Sequence, residues 1–394
     1  MSQNILNTLV FNSGSSSLKF SLLGYPGAHT IINGSVNLSV ECPILSILEN
    51  GGTPEKLSLG SKDLTTITAR IFERLSTRTS SIEAVGHRVV HGGSAFHETV
   101  RIDERVEDAI NELGRFAPLH NPAALEVIKA SEQSLGKVPQ FAVFDTSFYA
   151  CLPRASAIYP LPYEWFENWG IRRYGFHGIS HAWSVKRAIE LMNDRKNLRI
   201  VTCHLGNGCS ITATRDGKAI ATSMGFTPMD GVMMGTRSGA IDPGIFLYVQ
   251  REQKVSLSAL DDILNHRSGL LGVSGVSSDF QILEKAAQSG HERASLAVEI
   301  FAASIRSAIG GMAVSLGGVD VLVFTGGIGE HAVALRSAVC EGLQCLNIVL
   351  RPDCNATNQT DLNIAGSASG VHIFIIEARE DLMIAGECRR LLLN

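Results

Sequence analysis

The chain has 394 residues, enough for two domains of ordinary size, each with its own core. Hydrophobic residues make up 45% and charged residues 18%, which describes a globular protein and excludes a disordered one. With 34 basic against 38 acidic residues the formal charge is −4, so nothing favours nucleic acid and any bound phosphate needs a local site.

Taken in chain order, an apolar strand is expected over 9–12, then the small-residue turn Ser13-Gly14-Ser15-Ser16-Ser17, then a strand over 18–23 that reaches a Gly/Pro turn at 24–27. Helical periodicity covers 63–75 and 104–113. Between these helices, Gly86-His87-Arg88-Val89-Val90-His91-Gly92-Gly93 puts Arg88 inside a short strand, where an unpaired guanidinium is costly to bury. An apolar strand over 141–144 ends at Asp145, a usual place for a metal-binding or catalytic acid on a parallel sheet. Prolines break the periodicity over 148–162 and mark a boundary.

The second half repeats the plan. Tyr174-Gly175-Phe176-His177-Gly178-Ile179-Ser180-His181 opens a helix expected over 180–192, where amide dipoles favour anions. A strand over 199–205, the turn Gly206-Asn207-Gly208 and a strand over 209–214 lead to the hairpin signal Asp216-Gly217. Arg237 lies in the glycine-flanked loop Gly235-Thr236-Arg237-Ser238-Gly239. A helix over 292–315, a strand over 319–324 with the turn 326–329, and a strand over 371–376 ahead of Glu380 complete the chain. Each half thus opens with a strand, a bend and a returning strand. This points to a duplicated α/β domain with a cleft between the copies, rather than one large α/β domain. The expected domains are 1–149, joined by a C-terminal helix 382–394, and 150–381.

Three small-residue turns after apolar strands, at 12–17, 206–208 and 326–329, are the pattern of a nucleotide-phosphate cradle, because free N–H groups and hydroxyls bind phosphate oxygens there. Gly14 to Lys19 lacks P-loop spacing. Gly327-Ile328-Gly329-Glu330-His331-Ala332 fits a relaxed dinucleotide fingerprint, but such a turn belongs to the first βα unit of its fold, and only about a sixth of the chain follows it. Arg88, Arg237, His177 and His181 supply the positive donors that phosphoryl transfer needs; the competing reading of each is a salt-bridged arginine or a capping or core histidine. Glu380 is either a magnesium ligand, since ATP-bound Mg²⁺ is held through one or two carboxylates, or a first-turn acid of the last helix. The eight cysteines show no CxxC pair and no zinc spacing, and read as reduced, mostly buried thiols of a cytoplasmic protein. No signal peptide is expected. The apolar run 307–329 is broken by Asp320 and reads as a buried helix and strand, not a membrane span.

These motifs, together with Pro118-Leu119-His120-Asn121-Pro122, Phe144-Asp145-Thr146-Ser147-Phe148 and Thr325-Gly326-Gly327-Ile328-Gly329-Glu330, resemble the acetate kinases, in the same order and over essentially the whole chain. The resemblance implies a ribonuclease H-like duplication of the sugar kinase/Hsp70/actin type, an interdomain nucleotide cleft, a homodimer, and acetate and ATP (or ADP) as small-molecule substrates. It implies Mg²⁺, or Mn²⁺, at Asn12 and Glu380, and ATP phosphates near Ser15, Ser17 and Lys19. His204, Leu205, Gly206, Asn207 and Gly208, with Asp279, Phe280 and Gln281 and with Gly326, Gly327, Ile328, Gly329, Glu330 and His331, would line the nucleotide. Arg88 would bind the acyl carboxylate or phosphate, and Val90, Leu119, Phe176 and Pro228 the methyl group. His177 and Arg237 would stabilise the transferring phosphoryl, with His120 nearby. The family's acid/base role for Asp145 sits awkwardly with an acceptor that is already ionised; positioning a metal or orienting Arg88 is more natural. Gln281, Ala240, Ala378-Arg379 and His331 depart from the family pattern, mostly at the adenosine end. A propionate or butyrate kinase on the same scaffold, and a nucleotide-gated module of the actin/Hsp70 type, are the alternatives.

Overall fold

The structure is a computed structural model that describes residues 6–14, 17–25, 29–38, 40–357 and 359–393. Its contacts divide the chain into two compact units, 1–150 with 379–394, and 151–378. The last segment therefore returns to the first unit at Arg379, earlier than the helix start expected at 382.

In the first unit β1 (Leu6–Ser13), β2 (Ser17–Tyr25), β3 (His29–Asn37), β4 (Ile44–Glu49), β5 (Glu55–Ser58), β6 (Ile82–Val89), β7 (Val100–Arg101) and β8 (Gln140–Phe144) form one sheet, ordered β5-β4-β3-β2-β1-β6-β8-β7. β1 runs parallel to β6 and β6 to β8, while β2 and β3 are antiparallel additions. Strand periodicity decides which face is buried: Leu18, Phe20 and Leu22 point into the core and Lys19 points out. The helix Leu64–Arg74 starts where Asp63 accepts the Thr66 N–H, and lays Ile67, Ile71 and Phe72 on the core of Leu9, Phe11 and Val85. The helix Glu380–Leu393 packs on β1 and β6. Gly86 makes room for it, since a Cβ there would meet Ile384 at 2.5 Å and Cys388 Sγ at 2.7 Å. Burying such aliphatic side chains stabilises by about 1.5–3 kcal/mol each. Apolar packing therefore holds the helix that carries Glu380.

In the second unit β9 (Arg199–Leu205), β10 (Cys209–Arg215), β11 (Lys218–Thr222), β12 (Val321–Thr325), β13 (Leu362–Asn363) and β14 (His372–Ile375) are ordered β11-β10-β9-β12-β14-β13. β9–β10 and β10–β11 are antiparallel, and β9–β12 and β12–β14 parallel. The run β11-β10-β9-β12-β14 reproduces β3-β2-β1-β6-β8 in order and direction. The duplication is present as topology, and both units are ribonuclease H-like α/β domains. The helix Glu292–Leu316 is long and apolar enough to cross a membrane, but it lays Ala297, Phe301, Ile305 and Ile309 into the core and contacts β10. The apolar run 307–329 divides between the end of this helix and β12. All eight cysteines are free thiols; Cys203, Cys209, Cys340 and Cys388 are buried, whereas Cys42, Cys151 and Cys345 are exposed, so the expectation of mostly buried thiols holds for only half.

Candidate active site

Parallel pairing lines up the carboxyl ends of β1, β6 and β8 in the first unit, where Asn12 stands opposite Arg88. Asp145 follows β8, its N–H bonded to the Val89 carbonyl at 2.9 Å. One carboxylate oxygen of Asp145 accepts from Arg88 Nε (3.0 Å) and Nη2 (2.5 Å), and Arg88 Nη1 donates to Asn12 Oδ1 (3.1 Å). Asn12 Nδ2 in turn donates to Glu380 at 2.5 Å. Burial works against the guanidinium's charge, but Asp145 and Glu380 outweigh it and hold its pKa above the ordinary value. Lys19 is exposed on β2, in register with Asn12. Ser17 opens β2; Ser15 lies outside the described residues.

The segment after β6 is braced from two sides. Asn121 exchanges hydrogen bonds with the backbone of His91, accepting from its N–H (3.1 Å) and donating to its carbonyl (2.9 Å). Thr146 Oγ1 accepts from the Gly92 N–H (2.9 Å). These bonds tie buried Val90 to the start of the helix Asn121–Leu135, whose N-cap position is His120. Leu119, just before it, is 51% exposed.

In the second unit the helix Gly178–Leu191 begins at His177, whose φ of 56° is a left-handed conformation rare outside glycine. Such a residue is held there at roughly 1–3 kcal/mol of strain, the kind of strain that clusters at functional sites. Its ring stacks on His204 at the end of β9, with centroids 4.4 Å apart and planes 16° apart. A Cβ on Gly208 would come within 2.8 Å of His177 Nε2 and 3.6 Å of Arg237 Nη1, so both side chains converge on the turn Gly206–Gly208. Arg237 donates to the Pro228 carbonyl at 3.1 Å. That carbonyl sits on a braced loop: Arg173 Nη1 binds the Ser223 and Met224 carbonyls and Asp230 (3.0, 3.1 and 3.1 Å), and its guanidinium lies over the Tyr159 ring. Tyr159 donates to Asp230 (3.3 Å) and accepts from the Phe226 N–H (3.0 Å). Phe176 is buried, and Pro228 is half-buried.

β12 runs parallel beside β9, with Thr325 opposite His204, so the two glycine segments that follow these strands are neighbours. The expected turn 326–329 is the start of a short helix, Gly326–His331. Gly326 has φ 78°, and a Cβ on it would stand 2.7 Å from the Leu205 carbonyl oxygen; only glycine fits. Fully buried Arg336 satisfies the far end of this helix, donating to the carbonyls of Gly329 (2.9 Å) and Glu330 (2.8 Å) and to Asn355 Oδ1 (2.7 Å). Glu330 is buried and accepts the Ala378 N–H at 3.0 Å; burial raises its pKa. Gly327 and His331 are exposed and Ile328 half-buried.

Asp279, Phe280 and Gln281 stand together at the start of one helix and differ in burial. Asp279 caps the helix Phe280–Gln288, accepting from Gln281 N–H (2.8 Å), and Phe280 is buried against Phe301. Asp279 and Gln281 are exposed, and only Phe280 of the three is buried. Ala240 and His331, two other departures from the family pattern, are also exposed. Arg379, the last, pairs with Asp381 (2.9 Å) and Thr30 (3.1 Å) beside Glu380. The residues that sequence reading missed are the braces: Asn121, Thr146, Tyr159, Arg173, Asp230, Ser180 and Arg336. For Arg336 a signal existed, a lone arginine among the apolar positions Leu335, Val339 and Cys340 of its helix.

A model of the acetokinase family matches residues 7–386. The acetate kinase of Trichormus variabilis is 46% identical over 404 residues, covering 98% of this chain and all of that protein. The crystal structure of Porphyromonas gingivalis acetate kinase superposes with a TM-score of 0.91 at 37% identity, covering 98% of this chain and 100% of its own. A propionate kinase from Francisella tularensis superposes with the same TM-score at 36% identity, covering 98% and 99%. With the braced arginines, the stacked histidines and the paired glycine segments in this order along a duplicated scaffold, the chain belongs to the acetokinase family.

Proposed function

We propose that the protein is an acetate kinase that moves the γ-phosphoryl group of ATP reversibly to the carboxylate of acetate, giving acetyl phosphate and ADP. The observation that carries this reading is the state of Arg88. A guanidinium has five N–H groups. Asp145 and Asn12 take three of those on Arg88, and the other two have no acceptor among the described residues. A fork fixed in this way, with donors in reserve, suits a carboxylate or an acyl phosphate.

The acceptor oxygen attacks phosphorus while the bond to the β–γ bridging oxygen breaks, and the charge on the transferring group is met by Arg237 and His177. An acetate carboxylate is ionised near neutral pH and needs no base. Asp145, with one oxygen on two Arg88 nitrogens, is the residue that orients Arg88. The glycine segments Gly206–Gly208 and Gly326–His331 hold nucleotide phosphates through backbone N–H groups. Glu380 provides a hard oxygen that suits Mg²⁺ or Mn²⁺. Asn12 has its oxygen on Arg88 and its nitrogen on Glu380, and serves to aim Glu380 rather than as a ready ligand. Glu380 would hold magnesium, which would supply charge neutralisation to the ATP phosphates.

Propionate is the second reading, favoured by the likeness to the Francisella propionate kinase, because one methylene in an apolar pocket discriminates by only about 1–3 kcal/mol. Incubating the protein with Mg-ATP and acetate, propionate or butyrate, and trapping acyl phosphate as the hydroxamate, tests both readings. Acetate turnover at the highest kcat/KM is expected; no hydroxamate with any acid would refute the function. Parallel runs with GTP and ITP test whether exposed Gln281 loosens the choice of nucleotide. We also read the protein as a cytoplasmic homodimer. In support, the helix Gly244–Gln253 buries none of its residues and exposes Ile245, Leu247 and Tyr248, a face that sedimentation of a Leu247→Asp variant would test.

A further inference from the structure

The helix Gly178–Leu191 turns two consecutive polar side chains, Ser180 and His181, toward the sheet, and neither has exposed surface. His181 places Nδ1 on Thr202 Oγ1 (2.6 Å) and Nε2 on Ser210 Oγ (3.1 Å). Thr202 directs its own hydroxyl proton to the Thr212 carbonyl (3.4 Å), so it accepts from His181 Nδ1–H, and His181 Nε2 accepts from Ser210. Burial, and then the neighbouring His204, keep His181 neutral.

Ser180 reaches the next imidazole, with its Oγ 2.7 Å from His204 Nδ1. The direction of that bond determines what the other nitrogen offers. Nε2 is the nitrogen on the side of the glycine turn, since a Cβ on Gly206 would stand 3.9 Å from it. A hydroxyl that accepted from Nδ1–H would leave Nε2 a bare lone pair, which repels phosphate oxygens. The only escape would be an imidazolium stacked face to face on His177. A hydroxyl that donates to Nδ1 leaves the proton on Nε2, where an anion needs it. Rotating the ring half a turn would put Cδ2 where Nδ1 stands and give up the Ser180 bond.

We propose that Ser180 is a positioning residue: its hydroxyl donates to His204 Nδ1, locks the ring in the Nε2–H tautomer and aims that N–H at the turn Gly206–Gly208. The inference rests on the reading of His204 and this turn as part of the nucleotide-phosphate site. It makes His181 and His204 a built pair, with each ring's tautomer set by a hydroxyl behind it, as metal-site histidines are set by their outer partners.

The test uses the full-length protein and the variants Ser180→Ala, Ser180→Thr, His204→Ala and Ser180→Ala/His204→Ala. ¹⁵N-resolved NMR of wild type should show His204 with Nε2 protonated and Nδ1 as an acceptor, and Ser180→Ala should show a mixture of tautomers. The kcat/KM for ATP should fall about tenfold in Ser180→Ala, the kinetic equivalent of one hydrogen bond, with the KM for acetate unchanged. Ser180→Thr should recover most of the loss, and Ser180→Ala should add nothing on the His204→Ala background. Three outcomes overturn the proposal: protonated Nδ1 in wild type, wild-type kinetics in Ser180→Ala, or an equal loss with and without His204. Full activity in His204→Ala would instead remove the site reading itself, and the proposal with it.

Discussion

The Arg88–Asp145 pair tests whether the acid moves a proton or holds an arginine. Asp145 has no exposed side-chain surface and Arg88 only 10%, so Asp145→Asn strands a buried guanidinium whose remaining fixed partner is Asn12. Breaking one side of a buried ion pair costs about 3–5 kcal/mol of stability. Misaiming one preorganised donor costs about 10²–10³-fold in kcat. Both losses are expected, read by urea denaturation and hydroxamate trapping. Replacing the pair with Arg88→Met/Asp145→Leu should recover most of the stability, since buried pairs exchange for apolar groups at little net cost, and recover none of the activity. The pH–rate profile of Asp145→Asn should keep the wild-type shape at a lower level. An acidic limb that is present in wild type and absent in Asp145→Asn, or turnover within tenfold of wild type, would refute the orienting role.

Arg237→Ala should lower kcat by at least about a thousandfold with the protein still folded, the scale of an arginine acting on a transferring phosphoryl group; a loss under tenfold removes it from the catalytic set. Asp230→Asn should act on the same step from a distance, lowering kcat with little change in KM for either substrate, because it loosens the loop whose Pro228 carbonyl receives Arg237; an unchanged kcat would show that the brace is dispensable. Arg336→Met leaves the Gly329 and Glu330 carbonyls unsatisfied in the interior and should destabilise by about 3 kcal/mol or more, seen as a lower urea midpoint. Burial lowers His87 and His91 to about 4, and His181 well below its usual value, so they stay neutral in the folded chain. Their stabilising effect is complete above the unfolded imidazole pKa of about 6.5 and is lost as pH falls toward 4. Glu132, raised to about 7 by burial and Glu107, works in the opposite sense. Buried Glu330 adds to that offset, and three histidines against two carboxyls leave a net uptake of protons on unfolding near pH 5, measurable from the pH dependence of the denaturation free energy; no uptake would contradict the buried neutral histidines.

What could be read from the sequence was local. Strand, bend and returning strand have a period and a turn chemistry, and they exposed the duplication and the strand ends where Arg88 and Asp145 sit. Gly326–His331 passed for a turn because its glycines mask a helix begun at a left-handed residue. The family resemblance alone puts Phe280 with the nucleotide, while its spacing to Leu283 fits the buried stripe on which both lie. In the strands that extend the first sheet, β4 buries only Leu45 and Ile47 within the apolar run 44–48, which lacks clean polar alternation, and β5 is exposed throughout, so neither stands out. The braces were out of reach for another reason. Tyr159 and Arg173 meet Asp230 across 71 and 57 residues, and one sequence carries no record of which distant polar side chains share a bond.

The return of the chain to its first unit has a consequence for synthesis. Asn12 and Glu380 are 368 residues apart, yet they share a hydrogen bond beside Arg88. A ribosome makes the strands that present Asn12, Arg88 and Asp145 well before it reaches Glu380. A nascent first unit therefore carries a clustered arginine and acid but lacks both the carboxylate opposite Asn12 and the helix that fills the groove over Gly86. Completion of this half-site waits until the whole second unit has been made, so the enzyme's chemistry is timed by the position of one short helix in the gene.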